Sequence, residues 1–426
     1  MLPLVRLPNS RLLFFMNTSE KLSTKEKIIH AAFSFYCPHH EVKFSLSKVA
    51  EKVGITKPAI YRHFSTKDEL VKAMEEKLFS EFSQCFFNTD SEVFDSEQVL
   101  PEIIAFITKN PNYLSFLFSL EPDATFDRIF LELSKRGVHC FDYLIKSGPM
   151  EEIDFYVHSL FVTSSVISTV FGFIKKHTEA SETSVKEFAI NVSQLIHNGI
   201  SENDEILSPL ILSKLDEKCL SSVENLPPVN EKLAALSRVI AKKGLADFTV
   251  EAFADELGLA KSSLYSFFEN RDDMIRSLVG KEFFLLCEKI RDNISNNSSM
   301  LEKSYIIIQT EFFFFCKRRE SLDACRWISF VSDFGGCENC NSEEMKKNFG
   351  MINEFQKCFT RGMENFCIEN FGTNVFLLWL FLLPSTILIQ AEKHNFSHEL
   401  LTSAMKECFF LVERGLKQKK VTQYIK

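Results

Sequence analysis

The stretch VGITKPAIYRHFSTKDEL (53–70) recurs 204 residues further on as LGLAKSSLYSFFENRDDM (257–274), with Gly54/Gly258, Lys57/Lys261, Tyr61/Tyr265, Phe64/Phe268 and Asp68/Asp272 in register. Upstream, residues 28–36 align without a gap on 232–240. Further on, Phe106, Lys109 and Leu114 match Phe314, Lys317 and Leu322 at an offset of 208. FIKKH (173–177) matches IQAEKH (389–394), with His177 on His394 at an offset of 217, and IHNGI (196–200) matches VERGL (412–416) at 216. Short matches in constant order, with an offset that drifts as loops gain residues, are the signature of an internal duplication. A 426-residue chain is too long for one ordinary core, so two equivalent units are expected.

Apolar residues fall at helical spacing almost throughout, as in Ile28, Ile29, Ala32, Phe33 and Tyr36, and strand alternation is scarce. The chain therefore reads as all-α. The polar stretch ending in Pro227-Pro228 stops any helix and reads as a linker. The expected order is a disordered arm (1–24), a first head (25–75), a first helical body (76–205), the linker (206–229), a second head (230–279) and a second body (280–426). The first fifteen residues lack an apolar core with a cleavage site, so export is not expected, and translation starting at Met16 is an alternative. The apolar run Val375–Ile389 is shorter than a bilayer requires and contains Pro384, which makes it a buried helix rather than a membrane span. Twelve Cys without a regular framework read as free thiols in a reducing cytoplasm.

Residues 45–64 have the layout of a helix-turn-helix. Ser45 caps a first helix whose inner face is Leu46, Val49 and Val53, and Ala50 lets the next helix approach closely. Gly54 supplies a positive φ at the turn. Ile55 plugs the core, Thr56 caps the second helix and Pro58 sits in its first turn. With Ile60 and Phe64 inward, Lys57, Ala59, Tyr61, Arg62 and His63 are left outward or at the rim, able to meet a major groove and its phosphates. Thr66 and Glu69 are expected to form a capping box for the following helix.

From Lys25 to Leu70 this pattern resembles the DNA-binding region of the tetracycline-repressor (TetR) family. The resemblance implies two TetR-like units, each a three-helix helix-turn-helix head on a larger helical domain for ligand binding and dimerisation. It also implies a palindromic double-stranded DNA operator and pairing of two subunits through a four-helix bundle. By resemblance, Thr56, Lys57, Pro58, Ala59, Tyr61 and His63 lie on the recognition helix, and Ser45 and Lys67 touch phosphate. His40 stands where the family has Gly at a helix end, a position that Gly244 keeps in the second unit.

The two heads differ in charge. Residues 43–72 carry seven bases and three acids, net +4, whereas 247–276 carry three bases and seven acids, net −4. Phosphate neutralisation drives non-specific DNA affinity, so the first head is the expected reader. The second is a relic or weak binder, with Lys261, Ser262, Ser263, Tyr265 and Arg271 as its candidate contacts. Ala260 replaces the Thr56 cap, and Ser266 and Phe267 stand where Arg62 and His63 do.

No G-x-S-x-G, H-E-x-x-H, P-loop or dinucleotide fingerprint is present, and no catalytic role is expected. CENC (337–340), with Cys316 and Cys325, has one close pair where a tetrahedral metal site needs two, and His394 with His398 lacks a third ligand, so no metal is assigned. The 44 Phe read as core, or as the lining of a cavity for an apolar effector. The expected protein is a cytoplasmic, ligand-responsive transcriptional repressor without a membrane partner, assembled as an intramolecular pseudo-dimer or a homodimer. The alternative is a helical small-molecule- or partner-binding protein with vestigial heads.

Overall fold

Ser23 opens the first helix by a reciprocal cap: its Oγ accepts the Glu26 N–H (3.2 Å) and its own N–H donates to Glu26 Oε2 (2.8 Å). In the computed structural model, which describes residues 22–37, 40–41, 44–87, 96–120, 125–139, 153–176, 181–199, 207–243, 248–295, 298–331 and 374–418, the described chain is all-α apart from one short antiparallel pairing. The first head is α1 (Thr24–Phe33), the strands β1 (Tyr36–Cys37) and β2 (His40–Glu41), α2 (Leu46–Val53) and α3 (Lys57–Tyr61). Its body follows as α4 (Lys67–Phe87), α5 (Ser96–Lys109), α6 (Pro111–Leu120), α7 (Thr125–Lys135), α8 (Ile153–Lys176) and α9 (Glu182–Asn198). After α10 (Pro209–Ser222) comes the second head, α11 (Glu231–Lys243), α12 (Val250–Leu257) and α13 (Lys261–Leu264). The second body is α14 (Arg271–Asn293), α15 (Met300–Lys317), α16 (Arg319–Val331), α17 (Asn374–Lys393) and α18 (His398–Arg414), closed by a 3₁₀ turn, Gly415–Gln418.

Two expectations change, and one falls outside the described residues. Helix α1 ends at Phe33, so His40 lies in β2, paired with Cys37, rather than at a helix end. Gly244 and CENC (337–340) lie outside the described residues. Within the stretch read as a linker, Ser208 caps α10 and Pro209 occupies its first turn, where no N–H is needed. That helix docks on the second body. Lys218 Nζ donates to the Asn293 carbonyl (2.7 Å), the Tyr305 hydroxyl donates to Asp216 (2.7 Å), and Arg318 donates to the Pro227 carbonyl. The same Arg318 pairs with Glu282 inside the body, so the Pro227 segment is anchored by a buried cation already neutralised from the other side.

The run Val375–Ile389 lies in α17, where Trp379, Leu380, Leu383, Ile387, Leu388 and Ile389 are buried. No helix among the described residues is long and apolar enough to cross a membrane. The Phe-rich stretches also fill interior: Phe116, Phe312 and Phe314 are fully buried.

The two bodies pair with each other inside one chain. Helix α8 packs on α9, α17 and α18, and α18 also meets α17 and α9, giving a four-helix bundle with two helices from each unit. Its interior is mainly apolar, with polar side chains bonded across it. Trp379 Nε1–H donates to Thr169 Oγ1 (2.9 Å), Tyr156 OH donates to Gln390 Oε1 (3.1 Å), and His158 Nε2 lies 2.8 Å from Glu407 Oε1. Buried Ser164, Ser165, Ser168 and Thr169 on α8 keep that helix slim, and the Phe161 ring meets Trp379 edge-on at 5.7 Å.

At the far end of the bundle, the caps of α9 and α18 repeat almost to the degree. Ser181 and Ser397 open them with the same φ and ψ (−66°, 159°), and Gly199 (68°, −166°) and Gly415 (65°, −163°) close them. That φ/ψ region is open essentially to Gly alone. The two glycines also abut: a Cβ on Gly199 would come within 2.4 Å of the Glu413 carbonyl oxygen, and one on Gly415 within 2.3 Å of that of His197. The matched glycines are thus the point where the two units cross backbone on backbone.

Two outcomes test these features. Gly199→Ala and Gly415→Ala should each cost about 3 kcal/mol or more, from backbone strain plus overpacking, and lower the thermal midpoint by several degrees in calorimetry. Glu311, at the centre of α15, is fully buried, and burial alone pushes its carboxyl well above the ordinary carboxylate range. Its position in the first unit, at the 208-residue offset, is Ile103. Because the folded value is raised, the group's contribution to stability is complete below the unfolded value of 4.5 and is lost as pH rises through the folded one. Glu311→Gln should therefore raise the thermal midpoint at neutral and alkaline pH, with the gain shrinking to nothing near pH 4.

Candidate nucleic-acid interface

The first head is built on a buried cluster of Ile28, Ala32, Phe33, Phe44, Leu46, Val49, Ala50, Ile60 and Phe64, with Val53 and Ile55 packed at its edge. Ser45 Oγ accepts the Lys48 N–H (3.3 Å) to start α2, and Gly54 ends it at φ +77°. Thr56 Oγ1 then accepts the Ala59 N–H (3.3 Å), with Pro58 in the first turn of α3. The box expected at Thr66 and Glu69 is shifted by one residue. Thr66 Oγ1 does accept the Glu69 N–H (3.1 Å), but Glu69 Oε2 returns to the Ser65 N–H and hydroxyl, both at 2.7 Å. Those two bonds hold the Glu69 carboxyl below its usual range.

This framework puts the predicted contacts on one exposed run. Ser45, Thr56, Lys57, Pro58, Tyr61, Arg62 and Lys67 are exposed, and Ala59 and His63 are half-buried at the rim. Tyr61 is 46% exposed despite its size. Among the described residues, no carboxylate lies within ion-pair distance of Lys48, Lys52, Lys57, Arg62, Lys67 or Lys72. Lys67 and Lys52 instead rest over the Phe44 and Phe35 rings, at 4.7 and 5.2 Å, which fixes their stems and leaves their charge uncompensated.

The second head copies the scaffold and not the surface. Thr249 caps α12, Gly258 ends it at φ +65°, and Val250, Phe253, Ala254 and Leu264 take the buried positions. Arg271 lies half-buried over the Phe248 ring (5.5 Å), as Lys67 lies over Phe44. Ala260 gives no side-chain cap, and α13 is four residues long against five in α3. Of the candidate contacts, Ser262 and Tyr265 are exposed, Ser263 is half-buried, and Lys261 is exposed but paired with Glu251. Arg238 is held between Glu256 (2.7 Å) and Glu231 (2.9 Å), and Lys242 also reaches Glu256 (3.2 Å). These bonds hold the Glu251 and Glu256 carboxyls down and the Lys261 and Arg238 cations up, so each pair is ionised together. Charge counting identified the acidic surplus. The ion pairs that disarm Lys242 and Lys261 join residues 14 and 10 positions apart, and no helical spacing announces them.

No group of described His, Cys, Asp and Glu residues has the geometry of a metal site. His394 packs edge-on against the Tyr156 ring (5.6 Å), and His398 lies over Phe312 (6.5 Å). Cys316 is an exposed free thiol and Cys325 a buried one.

Two helix-turn-helix heads carried on helical bodies define the class of molecule. The family model for bacterial regulatory proteins of the tetR family matches residues 43–74 and again 233–278, one segment in each head. Among curated proteins, the nucleoid occlusion factor SlmA of Alteromonas mediterranea is 26% identical over 106 residues. That alignment spans 24% of this chain and 54% of SlmA, about half the length of the relative. A solved TetR-family transcriptional regulator from Haemophilus influenzae RD aligns at 14% identity over 47% of this chain and 96% of its own, with a TM-score of 0.28.

Replacing the Thr56 cap by Ala should cost about 1 kcal/mol in head stability. Faster hydrogen exchange confined to α3 and its flanking turns is the expected readout, with the bundle amides unchanged.

Proposed function

We propose that the chain is a DNA-binding transcription regulator of two tandem TetR-like units that reads double-stranded DNA through its first head. The observation that carries this reading is the contrast in free cations. Among the described residues, Lys48, Lys52, Lys57, Arg62, Lys67 and Lys72 have no carboxylate partner, whereas Lys242, Arg238 and Lys261 on the second head do. Only uncompensated cations release counterions from a phosphate backbone, so the second head lacks the term that dominates non-specific affinity. In this reading α3 enters the major groove, with Lys57, Tyr61, Arg62 and His63 nearest the bases, while Ser45 and Lys67 face phosphates.

The regulatory part of the proposal follows from how the first head joins its body. Phe33 packs on Tyr113 (4.2 Å) and Phe116 (5.3 Å), and Tyr36 packs on Phe116 (5.0 Å). Within the body, Arg128 of α7 and Arg136 just beyond its end bind Glu75 and Glu76 of α4, both at 2.5 Å. A small apolar effector that repositions α6 or α7 would tilt the head through these contacts and shift the population away from the DNA-competent arrangement, which makes the regulator a repressor.

Gel-shift titrations over a salt series test the reading. Arg62→Ala with Lys67→Ala should weaken binding at least ~10-fold and lower the slope of log K against log salt by about two contacts' worth. Lys261→Ala with Arg271→Ala should leave both unchanged. Binding that ignores the first pair of substitutions and responds to the second would overturn the assignment.

A further inference from the structure

The second head carries large apolar side chains on the very surface where its cations are tied up. Leu259, Tyr265 and Phe267 are 39%, 47% and 63% exposed, the last in the place of His63. Lys232 covers one face of the Phe267 ring (4.2 Å). On the same head Asp255 and Glu269 are exposed and form no ion pair among the described residues, and Glu251 stays exposed even while bonded to Lys261. An aromatic patch edged with acid suits a protein partner bearing cations and an aromatic of its own, and it repels phosphate.

The complementary surface is present on the same chain. Among the described residues, the exposed Lys48, Lys57 and Arg62 of the first head have no carboxylate partner and Tyr61 is 46% exposed, and the two head windows carry net charges of +4 and −4. We infer that the second head is a docking face for the first head of a second copy of this chain. The bundle is already closed between the two units of one molecule, so this association would run through the heads alone. Two reciprocal contacts would close a two-fold pair of chains, each second head covering the other chain's reading surface. Heads of about fifty residues offer a small contact, and small polar contacts are weak and salt-sensitive. DNA and the second head would compete for the same cations, so the docked pair is a stored form that DNA opens. This inference rests on the first head's free cations being its DNA-reading surface.

Sedimentation velocity on the full chain tests it. At ~50 mM salt, where charges are little screened, the mass should rise with concentration from 49.1 kDa toward twice that value, and at ~0.5 M salt it should return. Duplex DNA should also return it to one chain per particle. Asp255→Lys with Glu269→Lys, or Phe267→Ala with Tyr265→Ala, should weaken self-association at least tenfold. All four side chains are exposed, so circular dichroism should show an unchanged fold, and DNA affinity should not fall. Arg62→Ala should weaken self-association and DNA binding together. A single chain at every concentration at low salt, self-association indifferent to the second-head variants, or chain pairs that persist on DNA would each overturn the inference. If DNA binding fails the Arg62 test while self-association survives, the functional reading falls instead.

Discussion

Everything in this molecule hangs on the pairing of α8 and α9 with α17 and α18. Two helical bodies, each with an apolar face too large to leave in water, satisfy one another without a second chain. The tightest constraint is the abutment of Gly199 and Gly415. Each occupies a backbone region closed to other residues, and each lies where a side chain would strike the backbone of the opposite unit. The Trp379–Thr169 and Tyr156–Gln390 bonds then satisfy the polar groups that close approach buries. With the bodies locked in this way, each head is tied to a body: the first through Phe33 and Tyr113, the second through α11 against α16, where Ser237 accepts the Ala324 N–H (3.2 Å).

On that shared frame the heads diverge where the frame does not constrain them. Buried positions keep their character, Ala50 and Ala254, Ile60 and Leu264, and so do the left-handed turn glycines Gly54 and Gly258. Exposed positions change sign. Lys57 is free, while its counterpart Lys261 is bound by Glu251; Arg62 becomes Ser266, whose hydroxyl turns back to the Ser263 carbonyl (2.7 Å). Folding asks only that the interior be apolar and the turns be capped, so the surface of one head is free to lose cations while its core persists. The second head also lacks the Thr cap, and its α13 is one residue shorter than α3.

Much of this was legible in the chain because local physics sets it. The Gly54 turn, the Ser45 and Thr56 caps and the outward placement of Tyr61 and Arg62 follow from rules acting within a few residues, and they are found as read. The reading of α17 as a buried helix rather than a membrane span followed from the length of its apolar run and its proline. Less legible were features that depend on distant partners. Gly199 and Gly415 could be matched as a pair, but their backbone crossing could not be inferred from 216 residues of separation. The Pro227-Pro228 stretch read as a linker because proline stops helices, yet α10 just before it is tied to Asn293 and Tyr305 of the second body, and Arg318 holds the Pro227 carbonyl itself. The ion pairs of Glu251 and Glu256 likewise need the folded head before their effect on Lys261 and Lys242 appears.

The central claim is that one chain holds two paired units but brings only one charged reading head to DNA. Hydroxyl-radical footprinting of the chain on its bound DNA addresses it most directly. The expected pattern is protection of a single major-groove segment and its flanking phosphates, from one head. Equal protection of two segments one helical turn or more apart, from a single chain, would contradict it.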